Sequence, residues 1–446
     1  MSPSSNVSDP GRPLTAEDLR AYFAAAAKPR AQFRIGIEQE KIGVLADGAA
    51  VPYEGERGIS AILETLVGRG FVPLREDGHI IALDRHGERI TVEPGGQLEL
   101  SGAALPTARE SRDALLAHVR EVQAIATPMG IRFLGVGARP FGALDAIPWL
   151  PKRRYGVMRA YLPTRGRLAH DMMKRTATVQ ANFDFDSEAD ATDKIRAAFG
   201  VTSIVTAMFA ASPITDGRPS GFKSYRAAIW LETDENRCGI LPFAFKPDFS
   251  FADYVAWALD VPMFFVVRDG VYHPAGGMTF RAFMSSGFGD QRATMADWEV
   301  HLSTLFPEVR LKRYIELRGA DAGPIPMACA LGALWRGLLE DAEARRAAWA
   351  LVAARTNDER QQLRKDVPRT GLGARFGGTR VSELAVELLS IARAGLQRLD
   401  PAEAPLLDPV DAYVRAGRAP ADDLLADFQQ ANGDPARLIQ RWELRA

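Results

Sequence analysis

Four short segments of this sequence alternate acidic or other polar residues with apolar ones. In a β-strand, residues i and i+2 lie on the same face, so Glu38 and Glu40 point together. By the same rule, Glu93, Glu99 and Glu316 each share a face with a polar neighbour. The segments are residues 34–40, 90–93, 97–100 and 314–318. If these strands belong to one sheet, up to five carboxylates converge on one surface.

Crowded carboxylates of this kind predict a metal site. Like charges that lie close together cannot all stay ionised unless cations lie among them. A single Glu-x-Glu pair is usually only the solvated face of a strand, but here the pattern recurs in segments far apart in the sequence. We therefore predict that the acids bind about two or three Mg²⁺ ions together with a nucleoside triphosphate.

Basic residues are concentrated between Pro151 and Thr176, where eight lysines and arginines accompany a single acid, Asp171. Pro163 and Gly166 interrupt this segment, so we expect loops there rather than helices. Arginine matches the oxygens of phosphate and carboxylate groups, which predicts an anion-binding lid. Nucleic-acid binding is a weaker alternative, because it normally needs a broader basic surface than a chain of net charge −1 provides.

Length and composition are typical of a globular protein. The chain has 446 residues, of which 47% are hydrophobic and 25% are charged. No apolar run approaches the roughly 18 residues of a membrane span, and the two cysteines suit a reducing compartment better than a disulfide framework. We therefore expect a cytoplasmic protein that binds neither membranes nor nucleic acid. Residues 1–13 are expected to form a disordered tail, and residues 14–446 a single domain.

The order of the elements predicts an α+β fold. The alternating strands are separated by predicted helices, including residues 15–27, 107–127 and 188–211. A parallel sheet covered on both faces would instead show continuous runs of Val, Ile and Leu. We therefore predict an antiparallel or mixed sheet that has one open face for ligands and helices packed behind the other. From about residue 326 onward, the chain is expected to be largely helical.

Six longer segments resemble the plant-type glutamate–cysteine ligases, a family also found in proteobacteria. The resemblance extends in order from about residue 33 to beyond residue 430. The segments are GIEQEK (36–41), EPGGQLELSGA (93–103), PKRRYGVMRAYLP (151–163), DMMKRTATVQANFDF (171–185), ALDVPMFFV (258–266) and FPEVRLKRYIELRGADAGP (306–324). The resemblance implies that residues 14–446 form a catalytic domain with a fold similar to glutamine synthetase and the guanido kinases. In that fold an antiparallel sheet forms a half-open funnel with helices outside.

The same resemblance implies a reaction. ATP and Mg²⁺ would drive the joining of the γ-carboxylate of L-glutamate to the amine of L-cysteine through a γ-glutamyl phosphate, the first step of glutathione biosynthesis. The partners would then be small molecules, and the chain would act as a monomer or a homodimer. Three alternatives remain open: joining glutamate to another amine, phosphotransfer like that of the guanido kinases, and non-catalytic binding of glutamate or nucleotide.

The resemblance also assigns expected roles to individual residues. The expected metal ligands are Glu38, Glu40, Glu93, Glu99 and Glu316. Glu316 and Arg318 are expected to be catalytic, and Lys312 and Arg313 to help Arg318 hold the nucleotide phosphates. The residues expected to bind the substrates are Arg175, Thr176, Gln180, Asn182 and Arg226. Because the acids are crowded, replacing one of them is expected to relieve repulsion and leave stability little changed or higher.

Overall fold

A nine-stranded sheet forms the centre of the computed structural model, which describes residues 12–446. The strands of the chain are β1 Ile35–Val44, β2 Val72–Glu76, β3 His79–Arg85, β4 Glu88–Val92, β5 Leu98–Ser101, β6 Arg132–Leu134, β7 Thr178–Phe183, β8 Ile214–Thr215, β9 Arg218–Pro219, β10 Cys238–Gly239, β11 Phe265–Arg268, β12 Val271–Pro274, β13 Phe306–Pro307, β14 Val309–Leu311, β15 Ile315–Asp321, β16 Arg375–Phe376 and β17 Thr379–Arg380. The order in the large sheet is β14-β15-β7-β1-β5-β4-β3-β2, and β6 pairs with β1. All pairs in it are antiparallel, which confirms the predicted antiparallel sheet. The predicted tail lies almost wholly outside the described residues.

The helices pack mainly on one side of this sheet. They are α1 Ala16–Ala24, α2 Ile59–Val67, α3 Ala108–Ala126, α4 Arg153–Tyr161, α5 Ala169–Arg175, α6 Glu188–Met208, α7 Tyr225–Leu231, α8 Phe251–Asp260, α9 Phe280–Ser286, α10 Met295–Leu302, α11 Ile325–Leu339, α12 Ala342–Val352, α13 Asn357–Thr370, α14 Val381–Leu399, α15 Asp408–Arg415, α16 Pro420–Gln430 and α17 Pro435–Trp442. Helices α3, α6 and α11 contact the central strands β1, β7 and β15. Between residues 12 and 446, no helix is both long enough and apolar enough to cross a membrane.

The alternating sequence of the strands separates the two faces of the sheet. Ile35 and Ile37 of β1 and Leu98 and Leu100 of β5 are buried in the core on the helical side. Helix α11 approaches this side so closely that a Cβ atom on Gly332 would lie 2.7 Å from Ile37 Cδ1. The acidic residues between these apolar positions therefore face the opposite side of the sheet.

The basic segment 151–176 differs from the expectation, because it contains the helices α4 and α5 instead of loops. Apolar side chains bury one side of each helix, and these are Tyr155, Met158, Met172 and Met173. Gly166 lies in the connection, where a Cβ atom would be 2.1 Å from the carbonyl oxygen of Thr233. The proline and glycine residues therefore separate two short helices and do not prevent helix formation.

Candidate active site

A cavity of about 1000 Å³ lies on the polar face of the sheet. Its floor comes from β1, β5, β7 and β15, and its walls include residues of α4, α5 and the segment around β13 and β14. Ten of the thirteen predicted site residues line it: Glu38, Glu40, Glu93, Glu99, Thr176, Gln180, Asn182, Lys312, Arg313 and Arg318. The tertiary structure thus brings together residues that are up to 280 positions apart in the sequence, from Glu38 to Arg318.

Antiparallel pairing places the acids side by side on the cavity floor. Glu40 of β1 lies opposite Glu99 of β5, and Glu38 lies opposite Gln180 of β7. Side chains directly opposite each other in such pairs have Cβ atoms about 4.5–5.5 Å apart. Asn182 Nδ2 also donates a hydrogen bond of 2.8 Å to Glu38. The register of the strands is therefore what crowds these carboxylates.

The carboxyl groups on the floor are partly buried and lie near one another. Burial, together with repulsion from Glu316 and Glu99, raises the pKa of Glu38 to about 7. Burial and repulsion from Glu99 and Glu93 raise the pKa of Glu40 well above its usual value. Burial and repulsion from Glu93 likewise raise the pKa of Glu99. Cations placed among these acids would lower each pKa, so the floor is electrostatically suited to bind them.

Glu316 differs from the other acids because it is completely buried among cations. Arg310 Nη2 donates hydrogen bonds of 2.6 and 2.9 Å to its two carboxylate oxygens. Lys312 Nζ lies 3.2 Å from the carboxylate, and Arg318 also donates to it. Burial alone would raise the pKa of Glu316, but these three cations lower it below its usual value. The Glu316 carboxylate already balances three charges beneath the cavity surface. Its role as a metal ligand therefore stays a prediction.

Arg318 lies in a β-bulge at the edge of the floor. The register of β15 against β7 shifts between Leu317 and Ala320, and Arg226 Nη2 donates a hydrogen bond of 2.9 Å to the Arg318 carbonyl oxygen. Bulges beside active sites commonly redirect a side chain. Here the Arg318 guanidinium lines the cavity and donates a hydrogen bond of 2.7 Å to Gln180 Oε1.

Arg175 and Arg226, which were expected to bind substrate carboxylates, lie behind the cavity wall. Arg175 forms ion pairs with Asp171 at 3.1 Å and with Asp216 at 2.6 Å. Arg226 lies 3.9 Å from Asp321. Both arginines are almost fully buried. Neither lines the cavity, because the Arg175 guanidinium pairs with two aspartates, and the Arg226 guanidinium lies near Asp321 and donates to the Arg318 carbonyl oxygen.

The start of helix α4 brings to the cavity two cations of the basic segment 151–176 that were not among the individually predicted site residues. Lys152 and Arg154 line it, and burial lowers the pKa of Lys152. Arg153 between them instead binds Asp77 at 2.9 Å and the Gly270 carbonyl oxygen at 3.1 Å. It therefore links α4 to the β2–β3 and β11–β12 turns. The direction of α4 therefore decides that Lys152 and Arg154 face the cavity, whereas Arg153 has a structural role.

Gln97 and Arg310 are two further cavity residues that were not among the predicted site residues, although Gln97 shares a strand face with Glu99 and Arg310 belongs to the basic cluster beside Glu316 in the sequence. Gln97 accepts a hydrogen bond of 3.0 Å from the backbone of Gly95 and donates one of 2.8 Å to the carbonyl oxygen of Thr176. It therefore ties the turn after β4 to the segment before β7. For Arg310 a signal was present, because the short β14–β15 hairpin places it directly opposite Glu316.

The fit of the acids to Mg²⁺ can be judged from their surroundings. Within residues 12–446, no three His, Cys, Asp or Glu side chains are close enough to form a ready-made metal cage. Mg²⁺ is usually held by one or two carboxylates together with substrate phosphates and water. Acids spread across a cavity floor, with pKa values raised at Glu38, Glu40 and Glu99, suit ions that bind together with a nucleotide. The assignment of the five acids as metal ligands remains a prediction.

The fold of the chain is similar to that of a solved glutamate–cysteine ligase. The 2.0 Å crystal structure of glutamate–cysteine ligase from Francisella tularensis in complex with AMP matches this structure with a TM-score of 0.55 at 12% sequence identity. The match covers 92% of this chain and 89% of that chain. At such low identity the match demonstrates a shared fold.

Sequence comparison identifies the family. The model of glutamate-cysteine ligase family 2 matches residues 34–441. Glutamate–cysteine ligase B, chloroplastic, from Oryza sativa subsp. japonica is 44% identical over 430 residues, which cover 95% of this chain and 86% of that protein. The chloroplastic ligase of Arabidopsis thaliana is 45% identical over 417 residues, which cover 93% of this chain and 80% of that protein. The chain therefore belongs to glutamate–cysteine ligase family 2, which confirms the resemblance and the predicted enzyme class.

The prediction of a cytoplasmic location is wrong on the same comparison. The relatives from Oryza sativa, Brassica juncea and Arabidopsis thaliana are all named as chloroplastic. The prediction depended on two cysteines and the lack of long apolar runs. Those features indicate a reducing environment, which is not unique to one compartment. The oligomeric state, expected to be monomer or homodimer, stays a prediction.

Proposed function

We propose that this protein uses ATP to join the γ-carboxylate of L-glutamate to the amine of L-cysteine and so catalyses the first step of glutathione biosynthesis. The family assignment supports the reaction. The AMP in the Francisella tularensis enzyme supports the use of an adenine nucleotide. The observation that carries the proposal is the cavity of about 1000 Å³, in which carboxylates of raised pKa face lysines and arginines.

The chemistry explains why such a cavity is needed. A carboxylate does not acylate an amine in water without activation. Transfer of the γ-phosphoryl group of ATP to the glutamate side chain would give a γ-glutamyl phosphate, and the cysteine amine would then displace phosphate. Phosphoryl transfer requires of the protein mainly positioning and charge neutralisation. A funnel-shaped cavity that is open on one side would admit all three reactants.

Four acids on the cavity floor are the proposed holders of about two or three Mg²⁺ ions. They are Glu38, Glu40, Glu93 and Glu99. When bound, the ions would neutralise phosphate oxygens and polarise the phosphoryl group. Glu316, the fifth predicted ligand, is proposed to orient Arg318, because its carboxylate is buried against Arg310 and Arg318.

Arg318 is the proposed contact to the transferring phosphoryl group, with Lys312 and Arg313 as weaker contributors. Its guanidinium is held between Gln180 and Glu316 and faces the cavity. This fixed position suits a group that must meet developing negative charge without rearranging.

Thr176, Gln180 and Asn182 are the proposed substrate contacts within the cavity. Asn182 Oδ1 is buried and accepts no hydrogen bond from the described part of the chain. Buried polar atoms normally have a partner, so this oxygen is suited to accept from a substrate ammonium group. Arg226 is proposed to act indirectly, because it holds the backbone of Arg318.

The test is the release of ADP by the purified full-length protein. We expect release that requires glutamate, Mg²⁺ and an amine, with cysteine preferred, and a product of the mass of γ-glutamylcysteine. Omitting each reactant in turn is the control. Equal activity with aspartate in place of glutamate, or no preference among amines, would contradict the assignment while leaving an ATP-dependent ligase. If a guanidino compound replaces glutamate and the amine, release of ADP together with the phosphorylated guanidino compound would favour the phosphotransferase alternative.

A further inference from the structure

The turn between β4 and β5 is buried, although most turns lie on the protein surface. It begins at Glu93, a proposed holder of Mg²⁺ that lines the cavity, and ends at Gln97. The four residues after Glu93 are buried. Gly95 lies so close to α5 that a Cβ atom on it would be 2.2 Å from the carbonyl oxygen of Lys174. The backbone groups of such a turn need hydrogen-bond partners, as all buried backbone groups do.

Arg139 provides one of these partners from behind the sheet. Its Nη2 donates a hydrogen bond of 3.4 Å to the carbonyl oxygen of Gly95, and its Nη1 donates one of 3.1 Å to the carbonyl oxygen of Gly43 in β1. Its backbone N–H donates a hydrogen bond of 2.8 Å to the carbonyl oxygen of Arg175. Arg139 therefore joins the buried turn, the end of β1 and the segment before β7.

The Arg139 guanidinium is buried without a carboxylate partner. Only 1% of the residue is exposed, and its Nε donates to no other group of residues 12–446. No carboxylate in that part of the chain forms an ion pair with it. Burial, together with repulsion from Arg175, lowers the pKa of Arg139 to about 10. Burying a charge without a counter-charge is costly, and an apolar residue at this position would avoid that cost.

We propose that Arg139 is a positioning residue whose guanidinium holds the buried turn so that Glu93 faces the cavity. The inference rests on the proposed function, in which Glu93 is one of the holders of Mg²⁺. A hydrogen bond from a charged donor is roughly twice as strong as a neutral one, and one planar guanidinium can donate to two carbonyl oxygens at once. Without Arg139, the Gly95 carbonyl would lose this donor. Glu93, two residues before Gly95, would then be held less firmly beside the other acids of the floor.

The first test measures how nucleotide binding by the full-length protein depends on Mg²⁺. The Kd of a non-hydrolysable ATP analogue is determined at a series of free Mg²⁺ concentrations. We expect Arg139→Ala to raise the Mg²⁺ concentration that gives half of the maximal affinity about tenfold, because a misplaced Glu93 holds the ion less well. An Arg139→Ala protein with the Mg²⁺ dependence of the wild type would overturn the inference.

Arg360→Ala is the matched control, because Arg360 is a similar arginine in a different place. It is 2% exposed and donates a hydrogen bond of 2.8 Å to the carbonyl oxygen of Val352. Burial lowers its pKa to about 10, and it is not among the residues that line the cavity. Arg360→Ala should be destabilised as Arg139→Ala is, but should keep the Mg²⁺ dependence of the wild type. An equal change in Arg360→Ala would show that the effect is a general loss of stability and would also overturn the inference.

The second test determines whether Arg139 acts through Glu93. Glu93→Gln alone should raise the Mg²⁺ requirement at least as much as Arg139→Ala does, because it removes the carboxylate itself. Adding Arg139→Ala to Glu93→Gln should then change the requirement less than about twofold, since the group that Arg139 positions is already missing. Additive effects of the two changes would contradict a role through Glu93. If Arg139→Ala does not fold, Arg139→Lys, which keeps the charge but not the planar fork, replaces it in both tests with an expected shift of about threefold.

The outcomes separate this inference from the proposed function. A wild-type protein that binds no ATP analogue with Mg²⁺ and releases no ADP with glutamate and cysteine would contradict the proposed function, and the role of Arg139 would fall with it. If the wild type does both, but Arg139→Ala keeps the same Mg²⁺ dependence, only the role of Arg139 is wrong. A higher Mg²⁺ requirement that disappears in the Glu93→Gln background supports both.

Discussion

Replacing Glu38 with glutamine should stabilise the ligand-free protein at pH 8 and affect it little at pH 5. Glutamine has nearly the same size, and its side-chain oxygen can still accept the hydrogen bond that Asn182 donates to Glu38. What the change removes is a charge in an unfavourable place. Burial and the nearby Glu316 and Glu99 raise the pKa of Glu38 to about 7.

The sign and size of the effect follow from proton linkage. The folded protein holds the Glu38 proton more tightly than the unfolded chain, whose carboxyl has the usual pKa of 4.5. The stability of the wild type therefore falls as the pH rises from 4.5 to 7, and the loss is complete above that range. Raising a carboxyl pKa from 4.5 to about 7 corresponds to about 3 kcal/mol. Allowing for relaxation of the side chains, we expect Glu38→Gln to gain about 1–3 kcal/mol at pH 8 and less than about 1 kcal/mol at pH 5.

The assay is thermal unfolding in buffers from pH 5 to pH 8 that contain EDTA, with Glu387→Gln on the exposed face of α14 as the matched control. The Tm of Glu38→Gln should exceed that of the wild type by a few degrees at pH 8. Mg²⁺ with a non-hydrolysable ATP analogue should then stabilise the wild type more than the variant. A variant that melts at or below the wild type at pH 8, or that gains as much at pH 5, would refute the reasoning from charge repulsion.

The buried cluster around Glu316 should behave in the opposite way: Glu316→Gln should lower the free energy of unfolding by about 3–5 kcal/mol, because three cations lose their carboxylate. Urea unfolding measures this, and unchanged stability would contradict it. Arg318→Lys should reduce kcat for ADP release about 10²–10³-fold with a nearly unchanged Tm; a parallel loss of folding would point to a structural role. Activity should be the same in reducing and mildly oxidising buffers, and the Cys238→Ser, Cys329→Ser double variant should stay active, because burial raises the pKa of both thiols to about 12 and leaves little reactive thiolate. A reductant-dependent rate that disappears in the double variant would disprove this.

Much of the architecture was predictable because it depends on local patterns. The period-2 alternation in residues 34–40 predicts a strand with one polar face, and β1 has that form. The capping residue Thr107 predicts the start of α3, where its side chain accepts from the backbone of Glu110. Local rules failed in the basic segment, where α4 and α5 form and Gly166 lies in their connection against the carbonyl oxygen of Thr233, a contact that is not visible in the sequence.

The sequence by itself determined the strands, their polar faces and the set of acids and arginines near which the site would form. The sequence also identified the family, because a long motif is specific even where its individual residues are ambiguous. It could not determine which charges would face one another, because that depends on strand register and on side chains far apart in the chain.

Only the tertiary structure separated residues that look alike in sequence. Glu38 and Glu316 both lie in alternating acidic strands, yet one faces the cavity with a raised pKa and the other is buried among three cations with a lowered pKa. Arg318 and Arg175 are both arginines of the expected site, yet only Arg318 lines the cavity. The physical reason is that burial and pairing set the energy of each charge, and both arise only when distant strands and helices come together.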